Sequence, residues 1–353
     1  MNVFIPKPIS GGLILSYKCS ATCRHCMYAC SPRWYSDWIT EDDLSIILTQ
    51  LSRHIEPAPY GPDSIDLSHG LHFTGGEPFL NFELLCTAVG IAESLHIPST
   101  FVETNAVWCN DDATTKKKLA DLKTIGLKGI MISVNPFYAE FVPFSRTERC
   151  IRISLEIFGQ NVFIYQIEYY KRFKKWGLTD RVPLEKYLKK ETSRDLFQNI
   201  EFFISGRTPY TLREMLEDHF KRFSGRQLCT ISCSPPFLRE WHNHFDNYGN
   251  YMPGFCGGIS FGNCRNLDQL ITVGIDPDRK PVLAYLARED FQGLFDFACQ
   301  RGYAESPEGY FSKCHFCIDI RKHLVSVGNF DELTPKQFYK HVDHSETSPL
   351  FEE

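Results

Sequence analysis

Three cysteines on one short loop, Cys19-Ser-Ala-Thr-Cys23-Arg-His-Cys26, are the residues of this 353-residue chain whose spacing points most directly to chemistry. Thiolates are the usual protein ligands of iron–sulfur clusters. A Cys-x3-Cys-x2-Cys loop brings three thiolates to three irons of a cubane and leaves the fourth iron without a protein ligand. An open coordination position is what a catalytic metal needs and a structural one does not. The competing reading is a structural zinc site, which requires a fourth ligand; Cys30 is available for that place.

A second pattern stands at the ends of the segments that read as β-strands. Gly75-Gly76-Glu77-Pro78 follows the apolar run Leu71–Phe73, Glu103-Thr104-Asn105 ends a strand that starts at Thr100, and Ser133-Val134-Asn135-Pro136-Phe137 ends Gly129–Val134. Two adjacent glycines let backbone carbonyls approach a ligand closely, and an ammonium group needs such acceptors. Arg207 follows a further strand-like run, Ile200–Ile204, and can pair with a carboxylate.

The elements that must position these residues alternate. Strand-like runs at Leu13–Ser16, Leu71–Phe73, Thr100–Glu103, Gly129–Val134, Val162–Tyr165 and Ile200–Ile204 are separated by helical segments. Those helices cover about 40–54 (N-capped by Thr40, with Asp43 in the capping-box place), 82–96, 113–125 (closed by Gly126) and 146–158 (stopped by Gly159). Such alternation implies parallel strands with crossover helices, an α/β fold of about six strands: a partial (β/α)6 TIM-like barrel whose chemistry sits at the C-terminal strand ends. Near Ser224–Gly225 the texture changes to cysteine, glycine and aromatics, giving an expected division into a core of residues 1–225 and a smaller, Cys-rich α+β domain of residues 226–353. There Tyr248-Gly249-Asn250 reads as a hairpin turn, two helices are expected at about 281–288 and 291–302, and Cys314-His315-Phe316-Cys317 reads as a metal-binding knuckle.

The cysteine loop and GGEP together resemble the radical S-adenosylmethionine (SAM) superfamily, whose signature is CxxxCxxC followed by a GGEP motif. The resemblance covers residues 13–205 by motif order; His25 departs from it, because the place before the last cysteine is usually aromatic. It implies a [4Fe–4S] cluster on Cys19, Cys23 and Cys26 and SAM contacts from Gly75, Gly76, Glu77, Pro78, Glu103, Asn105, Ser133, Asn135 and Arg207. It also implies an external ferredoxin- or flavodoxin-like one-electron reductant, and an adenosyl radical that takes hydrogen from an unactivated carbon.

Asp246–Asn250, Cys256 and Gly262-Asn263 resemble the opening of a SPASM or twitch domain, with fewer cysteines than the full SPASM set. This implies one auxiliary centre, whether iron, zinc or iron–sulfur, on Cys256, Cys314 and Cys317 completed by Cys229 or Cys233. Cys86, Cys109 and Cys150 are expected in the core. SPASM-type enzymes commonly modify peptides or proteins, so such a substrate is expected, with a small molecule of cofactor biosynthesis as the alternative. The run CRHCMYACSPRWYSDW is similar to radical SAM proteins of methanogens and other anaerobes. Within that group a cobalamin-dependent C-methyltransferase acting on a glutamine of methyl-coenzyme M reductase is a candidate. Cobalamin would then meet the C-terminal region, where His242, His244, His315 and His323 are the possible contacts.

Composition narrows the remaining classes. Hydrophobic residues are 43%, charged residues 23% and the formal net charge is −5, which argues against a nucleic-acid-binding surface. No apolar run approaches the ~20 residues of a membrane span. Fourteen cysteines in tight clusters, with no signal-peptide pattern, point to metal binding in a reducing cytoplasm rather than to disulfides.

Overall fold

The computed structural model describes residues 2–343 except 36, 200–202 and 234–236. Its frame is one eight-stranded mixed sheet: β1 (Ser10–Ile14), β2 (Gly70–Thr74), β3 (Phe101–Thr104), β4 (Gly129–Ser133), β5 (Val162–Tyr165), β6 (Asn243–Asp246), β7 (Asn250–Met252) and β8 (Gly262–Asn263), in the order β5-β4-β3-β2-β1-β6-β7-β8. The first six strands pair in parallel, and β7 and β8 extend the sheet antiparallel.

Register decides what each face of the sheet does, because alternate residues point to opposite sides. Leu13 pairs with Phe73, Phe73 with Val102, and Val102 with Ile130; these side chains and those of Leu71 and Ile132 are wholly buried and form the core under the helices. The opposite face carries Gly12, His72, Glu103, Met131, Ser133, Tyr165 and His244, in matching register. One face is therefore an apolar layer and the other is a polar lining.

Helix boundaries follow local chemistry. Thr40 Oγ1 accepts from Asp43 N at 3.1 Å to start the helix Glu41–Leu51, while the Asp43 carboxylate takes the Arg265 guanidinium at 2.5 and 2.6 Å. The helix Asp112–Ile125 ends on Gly126 at φ +133°, a conformation that favours glycine. Phe82–Ser94 and Phe144–Phe158 are the other two helices expected in this half.

The sixth parallel strand is not the expected one. Residues 200–202 of the run Ile200–Ile204 lie outside the described residues, and 203–204 are not in a strand. The sixth strand is Asn243–Asp246, which lies beside β1. It also forms one arm of the expected hairpin with β7, turning at Gly249. Its Asn, His and Asp hide it from an apolar pattern: His244 faces the inner lining, Asn243 bonds Arg239 O and Gly254 N, and Asp246 accepts from Tyr17 and Asn250. The sheet thus continues past the boundary expected near Ser224–Gly225. The cysteine knuckle is another difference: Lys313–Val327 is a helix, capped by Ser312 Oγ accepting from His315 N at 3.0 Å, with Cys314 and Cys317 on its first turns. No helix among the described residues is long and apolar enough to cross a membrane.

Candidate active site

β1 leads directly into the cysteine loop. The loop is closed by a Lys18–Ser31 bridge, with Cys19 N donating to Ser31 O at 3.2 Å, and by Cys26 N donating to Cys23 O at 3.2 Å. Cys19 and Cys23 are buried and Cys26 half-buried. Burial pushes the Cys19 thiol up to about 12 and Cys23 well above the usual thiol range. Cys26 is drawn down to about 6, chiefly by a hydrogen bond from Cys30, and Cys30 N also donates to Cys26 Sγ at 3.3 Å. Buried thiols that resist ionisation become good ligands only when a cation compensates them, which couples such a loop to metal.

Arg207 sits beneath this loop. Its guanidinium donates to the carbonyls of Cys23 (3.0 Å), Ala29 (2.7 Å) and Cys30 (3.2 Å), and its backbone N–H to Cys26 O. Its side chain is spent on loop carbonyls and does not line the cavity, so the expected carboxylate contact is replaced by a positioning role. A buried guanidinium must find acceptors, and a turning loop offers several.

The GGEP turn meets the loop from the end of β2. Gly76 N donates to Ser16 O at 2.8 Å and Glu77 N to Lys18 O at 3.1 Å. A Cβ on Gly76 would lie 1.9 Å from Lys18 O, so only glycine permits this approach. Glu77 is buried and, against expectation, turned inward: it accepts from Thr104 Oγ1 (2.8 Å), Asn105 N (2.8 Å) and Phe79 N (3.3 Å). Burial raises it to about 7 against those hydrogen bonds. Pro78 opens the following 3-10 turn and is also turned away from the cavity. Of this motif, Gly75 and Gly76 reach the cavity.

That cavity measures about 300 Å³ and is lined by Cys19, Cys23, Cys26, Gly75, Gly76, Glu103, Asn105 and Ser133, together with His25, Thr74, Met131, Tyr138, Tyr165 and Gln166. Asn105 Nδ2 donates to Ser20 Oγ at 3.1 Å and lies 3.8 Å from Cys19 Sγ. Glu103 is also raised to about 7 by burial and accepts from Thr74 Oγ1 at 2.6 Å. Asn135 is wholly buried: it caps the turn Pro136–Ala139 and bridges His25 Nε2 (3.2 Å) to Gln166 Oε1 (2.8 Å). It positions rather than lines. His25, pushed down to about 3 by burial, is neutral and stacks on Phe137 with centroids 4.8 Å apart, so it presents a flat ring where an aromatic residue was expected. Gln166, missed in the sequence, follows β5 at φ +65°; a non-glycine residue in that region marks a constrained, often functional position, but it carries no motif.

The C-terminal cysteines assemble from three segments. Burial, and after it the charges of neighbouring thiols in this group, push up the Cys233, Cys256 and Cys314 thiols; Cys317 is among the neighbours of all three, and Arg321 opposes the rise. Burial takes the Cys314 thiol to about 11, although the residue as a whole is exposed. Burial pushes the Cys229 thiol up to about 11, and the charges acting on it are those of Lys313, Asp296, Glu305 and Asp290. Cys109 and Cys150 are wholly buried in the core and Cys86 is half-buried. Of the four histidines considered for cobalamin, only His242 and His244 face the cavity. His315 packs among Tyr210, Tyr310 and Phe311, and His323 bonds Arg301 O.

Among the described residues, one group of three potential ligands has all its donor atoms within 4.8 Å of one another, and it contains no cysteine: His72, His242 and His244. A single tetrahedral ion at about 2.3 Å from each thiolate holds its sulfurs roughly 3.8 Å apart. Neither cysteine set is drawn in that tightly.

No protein-family model matches the chain, and no curated protein matches it. Among solved structures it is similar to native anSMEcpe with bound AdoMet (13% identity, TM-score 0.44, covering 90% of this chain and 97% of that one). It is also similar to native anSMEcpe with bound AdoMet and Cp18Cys peptide (12%, 0.41, 90% and 97%) and to BtrN in complex with AdoMet and 2-DOIA (14%, 0.36, 75% and 82%). TM-scores of this size assign no role to any residue.

Proposed function

We propose that this chain is a radical SAM enzyme that cleaves S-adenosylmethionine reductively at a [4Fe–4S] cluster on Cys19, Cys23 and Cys26. One observation carries the proposal: three thiols of a single loop, at the end of a parallel strand, face the same cavity as the Gly75-Gly76 backbone and the ends of β3 and β4. When bound, the cluster and SAM would supply the one-electron chemistry that generates an adenosyl radical. The chain's own part is to hold and enclose the reactants. Arg207 and Glu77 fix the loop and the strand ends, His25 and Asn105 shape the wall, and buried aromatics such as Phe137 keep water out.

A peptide or protein is the substrate we favour. The cavity mouth carries Leu67, Phe203 and Trp241, which are 37%, 37% and 43% exposed, a rim suited to an apolar side chain rather than a sealed small-molecule chamber. Cys233, Cys256, Cys314 and Cys317 are the ligand set we assign to an auxiliary iron–sulfur centre. Cobalamin-dependent C-methylation, with methyl-coenzyme M reductase glutamine as target, is the finer form of this proposal.

The test is anaerobic reconstitution, reduction and chromatography for 5′-deoxyadenosine. Its formation from SAM in wild type and loss in Cys23→Ala is expected; no product from fully iron-loaded, reduced protein would sink the proposal. Desalting after exposure to cobalamin tests the finer form, which fails if no corrinoid absorbance is retained.

A further inference from the structure

The inner face of the sheet holds a group of side chains that SAM cleavage does not require. His72 on β2 and His244 on β6 flank Gly12 of β1 in register, and His242 precedes β6. Their ring centroids form a near-equilateral triangle of 5.0, 5.3 and 5.6 Å. A Cβ on Gly12 would lie 2.4 Å from His72 Nε2 and 2.9 Å from His244 Cδ2, so the glycine makes the room that the rings share.

Each ring is arranged as a ligand would be. His242 Nδ1 bonds Leu67 O at 2.9 Å, and His244 Nδ1 is met by Gly254 O at 3.1 Å and Tyr28 Oη at 2.8 Å. Such outer contacts fix the tautomer and leave the far nitrogen free to coordinate. His72 is 2% exposed, and its Nε2 is buried with no hydrogen-bond partner; Glu103 Oε1 lies 3.3 Å away without hydrogen-bond geometry. A buried polar atom left unmet is costly and calls for a missing partner. Burial, and the neighbouring histidines for His72 and His244, lower all three pKa values, His242 to about 4, so the rings are neutral and their lone pairs available. Arg239, a cation close by, spends its guanidinium on His242 O and on the faces of Trp241 and Phe255.

We propose that His72, His242 and His244 bind one divalent first-row transition-metal ion, distinct from both cysteine sets, with Glu103 as its neighbouring carboxylate. Three imidazoles select such an ion over magnesium or calcium, which prefer oxygen ligands. Three protein ligands leave a further position open. His242, His244 and Glu103 line the cavity that the cysteine loop also faces, so that position is accessible to an oxygen or nitrogen atom of a bound substrate. The ion therefore anchors substrate within reach of the loop.

The site stands on the histidines alone and is tested without reference to SAM cleavage. Protein with its iron–sulfur centres reconstituted and excess metal removed is titrated with zinc(II) by calorimetry, with iron content followed and zinc-edge X-ray absorption recorded. One equivalent of zinc is expected, with a nitrogen/oxygen shell at about 2.0–2.1 Å, no sulfur shell and unchanged iron. His242→Ala, at the half-exposed member, and His72→Gln should each weaken binding at least about tenfold; His242→Ala keeps the test open if His72→Gln does not fold. Absence of a zinc equivalent, a sulfur shell, iron loss matching zinc uptake, or wild-type affinity in His242→Ala overturns the proposal.

Discussion

The two cysteine sets are built in opposite ways. Cys19, Cys23 and Cys26 share one loop of eight residues, and the fold's task is to hold that loop: Arg207 grips its carbonyls from one side and the Gly75–Glu77 turn closes on it from the other. Cys233, Cys256 and Cys314/Cys317 come from three separate segments: Cys233 follows the helix Gly225–Leu228, Cys256 follows β7, and Cys314 and Cys317 lie on the helix Lys313–Val327. A local set is recognisable by spacing; a distributed set is recognisable only after folding. The difference also separates the expected consequences of damage.

The largest effect is expected at the loop. Cys19→Ala, Cys23→Ala or Cys26→Ala should abolish 5′-deoxyadenosine formation and remove close to one cluster's iron. Cys314→Ala should leave the SAM-cleaving cluster in place, retaining 5′-deoxyadenosine formation while losing the auxiliary iron. Equal loss of activity in both would erase the distinction drawn between the sets.

Glu77→Gln comes next. The amide supplies one acceptor where the carboxylate gives two, and its N–H₂ faces either Asn105 N or Thr104 Oγ1. Turnover should fall about 10–100-fold, and the protein should lose about 1–3 kcal/mol in urea unfolding. Unchanged turnover would place Glu77 outside the machinery that positions the site.

The auxiliary set is sharpened by a paired comparison. Cys233→Ser should lower auxiliary iron, read by Mössbauer spectroscopy, whereas Cys229→Ser should not. The reverse result would move the fourth ligand to Cys229.

The smallest effect is a difference between two pH slopes. The folded pKa of Glu77, about 7, lies above its ordinary value. The group's contribution is therefore fully present at acidic pH, below its unfolded value, and is lost as pH rises through about 7, by up to roughly 3 kcal/mol. Urea midpoints between pH 5 and pH 8 should fall more steeply for wild type than for Glu77→Gln. Glu103 keeps part of the slope in both, because burial raises it likewise. Identical slopes would show that Glu77 is ionised throughout.

Much of the site was legible because its signals are local. Thiol spacing, two glycines that let the Glu77 turn approach Lys18 O, and polar residues closing apolar strands all act within a few residues of chain. Five parallel strands and their helices were legible for the same reason, as were the caps at Thr40 and Gly126. The roles of Arg207, Glu77 and Asn135 were not, since a motif names a residue type without saying which way its side chain turns. Each of these three is turned into the protein, where a buried charge or amide must be satisfied by backbone groups or by neighbouring side chains.

By itself, the sequence determined the chemistry-bearing loop, the α/β alternation and the strand-end placement of the polar residues, because spacing and periodicity are properties of neighbouring residues. Only the tertiary structure decided that Asn243–Asp246 is the sixth parallel strand, that Cys233 lies near Cys256 and Cys314, and that three histidines meet across Gly12. Those outcomes depend on strand register and on packing between segments far apart in the chain, and no local pattern encodes either.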